Sequence, residues 1–235
     1  MTIILVNNCI EHARRFFAPA CILCGDPAGT GRDLCTPCDA GLPRLAGACP
    51  RCANPLSRTH TNLCGACQQS PPSFAATRAA FRYGHPVDSL IHGSKYHGRL
   101  DLARVLGNLL AAELVNDGAP PIDVLVPVPL DRPRLRSRGY NQSLELARPL
   151  ARRFRLAIDA FGVRRTRATR PQAELSRAER RKNVRGAFVV DADYSGRNVA
   201  IIDDVMTSGA TADSLSAELL KAGALRVEVW VVARA

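Results

Sequence analysis

Residues 199–211 read VAIIDDVMTSGAT, and they join an apolar strand pattern to an acidic pair and a loop rich in hydroxyl groups. Four apolar residues lead to Asp203 and Asp204, and the loop that follows opens a helix. In open α/β sheets, ligands bind at the carboxyl ends of the strands. Backbone N–H groups of such a loop, together with the N-terminus of the next helix, bind phosphate. The segment therefore predicts an anion site beside two carboxylates.

Each residue type in this loop has a chemical reason to be there. Gly209 allows the backbone to approach a phosphate closely, and the hydroxyl groups of Thr207, Ser208 and Thr211 supply further donors. The two carboxylates can accept hydrogen bonds from sugar hydroxyls or hold Mg²⁺. The alternative is a strand that ends in an ordinary capped helix with solvated aspartates.

The segments around this stretch alternate between strand and helix patterns. Helices are expected over 100–115, from Asn141 onward with a kink or early end at Pro149, and over 212–222. Strands are expected over 76–83, 122–128, 198–202 and 227–232. Strands that alternate with helices predict an α/β domain with a mainly parallel sheet flanked by helices.

Four Cys-x-x-Cys pairs occupy the region before residue 70, namely Cys21/Cys24, Cys35/Cys38, Cys49/Cys52 and Cys64/Cys67. Two such pairs make a tetrahedral four-cysteine site for structural zinc. The similar gaps favour two tandem zinc ribbons built from consecutive pairs, although a crossed arrangement of pairs one with three and two with four is also possible. The ninth cysteine, Cys9, lies in a segment, residues 9–20, that could form a short amphipathic helix.

Composition limits the class of protein. We expect a double zinc ribbon over residues 1–73 and the α/β domain over residues 74–235, with the linker near residues 69–73. The sequence shows no membrane span or signal peptide, which together with cysteine pairs typical of metal ligands predicts a cytoplasmic protein. The net charge of +11 is concentrated in the second domain and indicates an anionic partner, either a phosphate-rich small molecule or nucleic acid.

Taken together, the motifs resemble those of the ComF/ComFC (GntX-like) competence protein family, which joins a double zinc ribbon to a type I phosphoribosyltransferase domain. The match covers nearly the whole chain. Besides the four cysteine pairs and residues 199–211, it includes the segments IHGSKY at 91–96, VPVP at 126–129 and RSRGYNQ at 136–142.

The resemblance implies a pocket for 5-phosphoribosyl diphosphate (PRPP) with Mg²⁺. Asp203 and Asp204 would bind the ribose hydroxyls, and the loop Thr207, Ser208, Gly209, Ala210 and Thr211 would bind the 5-phosphate. The turn after the first core strand, with Pro127, Val128 and Pro129, corresponds to the pyrophosphate loop, which in relatives often holds a non-proline cis peptide. Cations expected to neutralise the diphosphate are Lys95, Arg136 and Arg138. Tyr140 would either stack on a base or simply pack.

The resemblance also places residues 164–185, with nine basic side chains, in the hood of the fold. Recurrent family positions there are Thr166, Gln172, Leu175, Arg180 and Asn183. This segment could cover the pocket, bind a nucleic-acid backbone, or be an ordinary solvated loop.

The function that the resemblance implies is PRPP binding combined with single-stranded DNA binding. Such a protein would act in natural transformation or DNA utilisation, beside helicase-like and recombination proteins. The alternative is an active phosphoribosyltransferase of nucleotide salvage or biosynthesis, although no general base and no acceptor are evident. An amidophosphoribosyltransferase is disfavoured because residue 2 is Thr and the N-terminal region is zinc ribbon.

Overall fold

The structure is a computed structural model, and it describes residues 19–29, 33–56, 63–116, 121–166 and 186–235. The chain divides into two compact units, Met1–Pro43 and Arg44–Ala235. The second cysteine tetrad therefore falls in the same unit as the sheet, whereas the expected domain boundary at residue 73 stays a prediction. The helix expected over residues 9–20 lies almost wholly outside the described residues, as does Cys9.

The first unit is small and holds one cysteine tetrad. A β-bridge joins Ala20 to Pro27, and helix α1 spans Thr36–Ala40 directly after Cys35. Its core consists of a few buried residues, among them Ala28 and Leu34. So small a core needs the cross-link that a metal provides.

The second unit begins with helix α2, Gly65–Gln69, in the second ribbon, and continues into the α/β domain. The strands of that domain are β1 Ala76–Arg82, β2 Val124–Pro127, β3 Ala157–Ile158, β4 Val163–Arg165, β5 Phe188–Val190, β6 Asn198–Met206 and β7 Arg226–Arg234. Its helices in the described ranges are α3 Val87–Tyr96, α4 Leu100–Asn116, α5 Arg132–Arg138, α6 Gln142–Phe154 and α7 Ala210–Lys221.

Five of these strands form one sheet in the order β1-β7-β6-β2-β3, and every neighbouring pair in it is parallel. Strands β4 and β5 form a separate antiparallel pair, with Val163 opposite Val190. The carboxyl ends of β2 and β6 lie side by side, since Pro127 pairs with Ile202. This edge is where the loop after β6 opens into α7.

Both faces of the sheet are covered. On one face, alternate residues of the central strands, such as Val199, Ile201 and Val229, share a buried cluster with Leu215 and Leu219 of α7. On the other face, Trp230 is fully buried and meets the ring of Phe154 edge-on, with centroids 5.9 Å apart. Strands buried on both faces account for the nearly continuous apolar runs in the sequence.

Several sequence-based expectations need correction. Helix α6 does not end at Pro149 but continues through it to Phe154. The Pro149 ring and the Leu146 carbonyl lie against Gly107 of α4, so close packing of the two helices holds the proline in place. Strand β6 is longer than expected: Asp203 and Asp204 belong to the strand itself rather than following it.

The loop after β2 also differs from expectation. Within the described residues, the cis peptide bond is His85–Pro86, so no cis peptide occurs in the turn from Pro127 to Leu130. Asn141, by contrast, caps α6 as expected, with its side chain accepting from the N–H of Ser143 at 3.0 Å. None of the helices in the described ranges is long and apolar enough to cross a bilayer.

Candidate functional site

The eight cysteines form two tetrads of consecutive pairs. Within each tetrad the four sulfur atoms all lie within 4.8 Å of one another, and the groups are Cys21, Cys24, Cys35, Cys38 and Cys49, Cys52, Cys64, Cys67. The tandem arrangement is therefore the one that the structure shows, and the crossed arrangement is wrong. Four thiols that converge in this way fit structural zinc.

Local geometry favours the thiolate form of one ligand of the second tetrad, Cys49, whereas the pKa values of Cys52 and Cys67 are raised, first of all by burial. In the second tetrad the N–H of Cys64 donates to the Cys49 sulfur at 3.4 Å. Burial raises the pKa of the Cys49 thiol, but backbone N–H groups, that of Cys64 first, outweigh burial and bring the pKa to about 7. A lowered thiol pKa reduces the cost of deprotonating a ligand before it binds metal.

One arginine connects the second ribbon to the carboxyl ends of β6 and β7. Arg234, at the end of β7, is 5% exposed and donates from Nε to the carbonyl of Cys52 at 3.0 Å. Its Nη1 donates to the carbonyl of Met206, also at 3.0 Å, and its Nη2 lies 3.4 Å from the Asn54 side-chain oxygen. One guanidinium thus joins the metal loop to the residue that precedes the Thr207–Gly209 loop.

A cavity of about 790 Å³ opens at the carboxyl ends of β2 and β6. It is large enough for a sugar phosphate, since small-molecule sites commonly have volumes of about 300–1,000 Å³. The predicted site residues that line it are Lys95, Val128, Arg138, Asp203, Asp204, Thr207, Gly209, Ala210 and Thr211. Four other predicted residues are absent from its lining, namely Pro127, Pro129, Arg136 and Ser208.

The acidic pair is held from several directions. Asp203 Oδ1 accepts from the Ser143 hydroxyl at 3.1 Å and from the N–H of Asp204 at 2.9 Å. Asp204 Oδ1 accepts from the N–H of Val205 at 2.6 Å, and Asp204 Oδ2 lies 2.9 Å from Nζ of Lys95. The side chains of Asp204 and Lys95 are only 6% and 22% exposed, so this ion pair is largely removed from water.

The two carboxyl groups differ in their electrostatic surroundings. Burial, and after it the charge of Asp204, raise the pKa of Asp203 to about 7, although Lys95 and two hydrogen bonds act in the opposite direction. For Lys95, burial lowers the pKa, but the nearby Asp204 carboxylate outweighs burial, so the pKa is raised and the ammonium group stays charged. The pair therefore has one firmly compensated carboxylate and one carboxyl that titrates near neutrality.

The loop after β6 presents backbone donors to the cavity. Gly209 has φ +77°, a conformation that side-chain-bearing residues rarely adopt, and it caps the N-terminus of α7. Within the described part of the chain, the N–H groups of Thr207, Ser208 and Gly209 have no acceptor. The Ser208 hydroxyl instead accepts from the N–H of Ala210 at 3.4 Å, which explains why it turns away from the cavity.

The cations differ in part from those expected. Arg138 lines the cavity, donates to the Gln142 side-chain oxygen, and lies 5.6 Å from the centre of the Tyr96 ring. Arg136 is exposed on another side of the short helix α5. Sequence reasoning missed Arg134 and Arg165, which both line the cavity.

The place of Arg165 in the cavity wall could not be predicted from the sequence. Its pKa is lowered first by burial and then by the neighbouring charge of Arg134, so the cavity wall already concentrates positive charge. In the sequence it is one of nine basic residues in a run of charge, and nothing distinguishes it from the others. Most of the remaining hood segment, including Gln172, Leu175, Arg180 and Asn183, lies outside the described residues.

Two further side chains near the cavity have defined positions. The hydroxyl of Tyr140 donates to the carbonyl of Ser94, next to Lys95, and Tyr140 is not part of the cavity lining. The structure shows this packing contact, and base stacking by Tyr140 stays a prediction. Ser143, which donates to Asp203, was missed although it directly follows the RSRGYNQ motif; its place at the start of a capped helix was the available signal.

These features define a class of protein in which a double zinc ribbon precedes a parallel α/β domain with a cavity at the carboxyl ends of its strands. The family model described as a double zinc ribbon domain matches residues 13–68. The DNA utilization protein YhgH of Escherichia coli K12 is 35% identical over 219 residues, which is 91% of this chain and 96% of that protein. Competence protein F of Haemophilus influenzae is 31% identical over 229 residues, covering 94% and 99%. The chain belongs to the ComF/ComFC (GntX-like) competence protein family.

Solved structures with a similar architecture include an allosteric regulatory enzyme of purine biosynthesis, with 22% identity and a TM-score of 0.38. That likeness covers 55% of this chain and 26% of the other. A hypoxanthine phosphoribosyltransferase from Staphylococcus aureus has 18% identity and a TM-score of 0.35, covering 55% of this chain and 61% of the other. These scores are low, and nothing about the cavity follows from them.

Proposed function

We propose that the chain binds PRPP in the cavity at the ends of β2 and β6. The observation that carries this proposal is the meeting, in one cavity, of a compensated acidic pair with the N–H groups of Thr207 and Gly209, which have no acceptor among the described residues. A sugar with a phosphate at one end needs both features: carboxylates accept from its hydroxyls, and amides donate to its phosphate. The Lys95 and arginine charges on the same wall suit the diphosphate at the other end.

Each residue then has a defined part in binding. Asp203 and Asp204 accept hydrogen bonds from the two ribose hydroxyls, and the N–H groups of residues 207–209 cradle the 5-phosphate. Arg138, with Arg134 and Arg165, neutralises the diphosphate through charge-assisted hydrogen bonds. The predicted participation of Arg136 is not part of this proposal, because its side chain is exposed outside the cavity.

Magnesium fits this scheme as an ion that the ligand brings. Carboxylate oxygens are suitable Mg²⁺ ligands, but Lys95 already occupies Asp204 Oδ2, and Asp203 Oδ1 accepts two hydrogen bonds. Mg²⁺ commonly binds through substrate phosphates with only limited protein ligation, and it would supply charge neutralisation at the diphosphate. The acidic pair would then serve the sugar.

The test is calorimetric titration with PRPP and Mg²⁺. We expect binding by the native protein and a decrease of at least tenfold in affinity for Asp203→Asn, since removing a hydrogen bond to a charged acceptor costs about 1.5–3 kcal/mol. Asp101→Asn, an exposed acid in the first turn of α4, is the matched control and should bind as the native protein does. Equal affinity in Asp203→Asn and native protein would remove the assignment of the acidic pair.

Single-stranded DNA is the second partner that we propose, in keeping with the names of the relatives, DNA utilization protein and competence protein F. The structure adds a group of arginines toward the end of α6. Arg148 and Arg152 lie one turn apart on α6, with Arg148 paired to Glu145 at 3.0 Å, and Arg153 and the C-cap residue Arg155 follow at the end of the helix. A row of guanidinium groups at this spacing can neutralise successive phosphates of one strand.

A salt series with a labelled oligothymidylate tests this partner. We expect tight binding at low salt that weakens steeply as salt is raised, and a smaller slope for Arg152→Ala/Arg155→Ala, by about 0.7 for each phosphate that the variant no longer neutralises. No binding at low salt would refute the DNA proposal. In this view the protein works in the cytoplasm on imported or degraded DNA, beside helicase-like and recombination proteins.

Phosphoribosyl transfer from PRPP to an acceptor is the alternative activity. The described residues that line the cavity include neither histidine nor glutamate, and both aspartates have other partners. Release of pyrophosphate from PRPP, measured with and without single-stranded DNA or free nucleobases, separates binding from transfer. Sustained release that Asp203→Asn abolishes would replace the binding proposal with the transferase.

A further inference from the structure

Lys95 is the buried cation that touches the acidic pair, and its position is built into the fold. It lies in the last turn of α3, where the helix dipole favours positive charge. The Tyr140 hydroxyl holds the carbonyl of the preceding residue, Ser94, and the Ser94 hydroxyl donates to the carbonyl of Ile91 at 2.9 Å. The backbone that carries the ammonium group is thus fixed from two sides, and the group itself is directed at Asp204 of β6.

Two adjacent carboxylates at the end of a strand would, without this cation, form a site for a divalent metal ion. In proteins, Mg²⁺ and Mn²⁺ bind preferentially to oxygen ligands such as paired carboxylates. With Nζ of Lys95 at 2.9 Å from Asp204 Oδ2, the pair already has a counter-ion beside one of its oxygens. A metal ion would have to displace a largely buried ammonium group, whereas a neutral hydroxyl would not.

We propose that Lys95 determines the specificity of the acidic pair: it keeps free divalent cations away, so that the carboxylates remain available to uncharged hydroxyl donors. That these hydroxyls belong to the ribose of PRPP rests on the function proposed above. The exclusion of metal ions does not. Lys95 therefore substitutes for a resident metal ion as the counter-charge of this pair, and Mg²⁺ enters the cavity only with the diphosphate.

The experiment is a titration of the zinc-loaded, full-length protein with Mn²⁺ in the absence of PRPP. The electron paramagnetic resonance signal of free Mn²⁺ measures how much of the ion is bound. The native protein and Lys95→Arg should show no binding below the millimolar range. Lys95→Met should bind Mn²⁺ at least tenfold more tightly, because it removes a unit positive charge within about 4 Å of the site. The gain should vanish in Lys95→Met/Asp204→Asn.

Lys221→Met is the matched control, because Lys221 is 71% exposed and pairs with Glu218 on α7. It should titrate as the native protein does. Zinc content and the urea midpoint report whether each variant is folded, and Lys95→Gln provides a second uncharged side chain. Mn²⁺ affinity that is unchanged in the folded neutral variants would overturn the proposal. The proposal would also be overturned if native protein bound Mn²⁺ with sub-millimolar affinity and Asp204→Asn abolished that binding. This second result does not depend on any Lys95 variant.

A second titration connects this role to the sugar. In Lys95→Met, raising free Mg²⁺ beyond what saturates PRPP should weaken PRPP binding severalfold, because the ion then competes for the carboxylates. In native protein the same excess should have no effect, and an equal decrease in both proteins counts against the proposal. If native protein does not bind PRPP at all, the proposed function fails while the Mn²⁺ result still decides the role of Lys95.

Discussion

Gly107→Ala tests how closely α4 and α6 must approach for the cavity to keep its shape. A Cβ atom at residue 107 would lie 2.7 Å from the carbonyl oxygen of Leu146 and 2.9 Å from Cγ of Pro149. Neither atom is the end of a flexible side chain, so the two helices would have to move apart. Because α6 begins with Gln142 and Ser143, such a movement would be passed on to Arg138 and Asp203.

Two opposing terms set the expected magnitude. Adding a methyl group to a tightly packed interior costs about 1–3 kcal/mol. Replacing glycine by alanine inside a helix returns about 1 kcal/mol. We therefore expect Gly107→Ala to lower the free energy of unfolding by up to roughly 2 kcal/mol, because the packing penalty is the larger of the two terms.

Urea denaturation of the zinc-loaded protein measures this decrease, and Ala112→Gly measures the helix term separately. Ala112 is an exposed residue of the same helix, so its replacement should cost only the propensity difference of about 1 kcal/mol. The sum of the two effects then gives the packing penalty at residue 107. If Gly107→Ala stabilised the protein by as much as Ala112→Gly destabilised it, the close approach at residue 107 would have no energetic weight and the reasoning would be refuted.

Three further predictions concern the metal sites and the cavity. Metal analysis should find two zinc ions per chain in native protein and one in either Cys21→Ser or Cys67→Ser; one or none in native protein would contradict the two tetrads. PRPP affinity should rise as the pH is raised through the pKa of Asp203, which is about 7, because the carboxyl group is increasingly protonated below that pH and is then a weaker acceptor for the ribose hydroxyls. Asp203→Asn should remove this pH dependence, and a flat profile in native protein would be inconsistent with the proposed role of Asp203. Arg138→Ala should weaken PRPP binding by about tenfold or more, whereas Arg136→Ala should have no effect, and calorimetry that ranked the two variants in the opposite order would place the diphosphate elsewhere.

Features that depend on residues close together in the chain could be predicted well from the sequence. The four cysteine pairs, the alternation of strands and helices, and the cap at Asn141 each depend on spacing within a few residues. The architecture is confirmed as a parallel α/β sheet with an N-terminal double zinc ribbon. The tandem pairing of the cysteines also followed from the similar gaps between the pairs.

Interactions between distant segments could not be predicted in the same way. Nothing near Lys95 in the sequence shows that its ammonium group would lie against Asp204, far along the chain. Pro149 was expected to end a helix because its own chemistry disfavours one, and the close packing against Gly107 that accommodates it is tertiary. On helix α5, the face that Arg138 and Arg134 share is set by docking, and that choice excluded Arg136.

The guanidinium of Arg234 connects the second ribbon to the residue before the loop Thr207–Gly209. If a ligand that stiffens the loop after Met206 also holds Arg234 in place, it would favour the metal-bound form of the tetrad that contains Cys52. By reciprocity, stripping that zinc should loosen the loop and weaken whatever anion it holds by the same factor. A metal that performs no chemistry would thereby set the affinity of a pocket that it never touches.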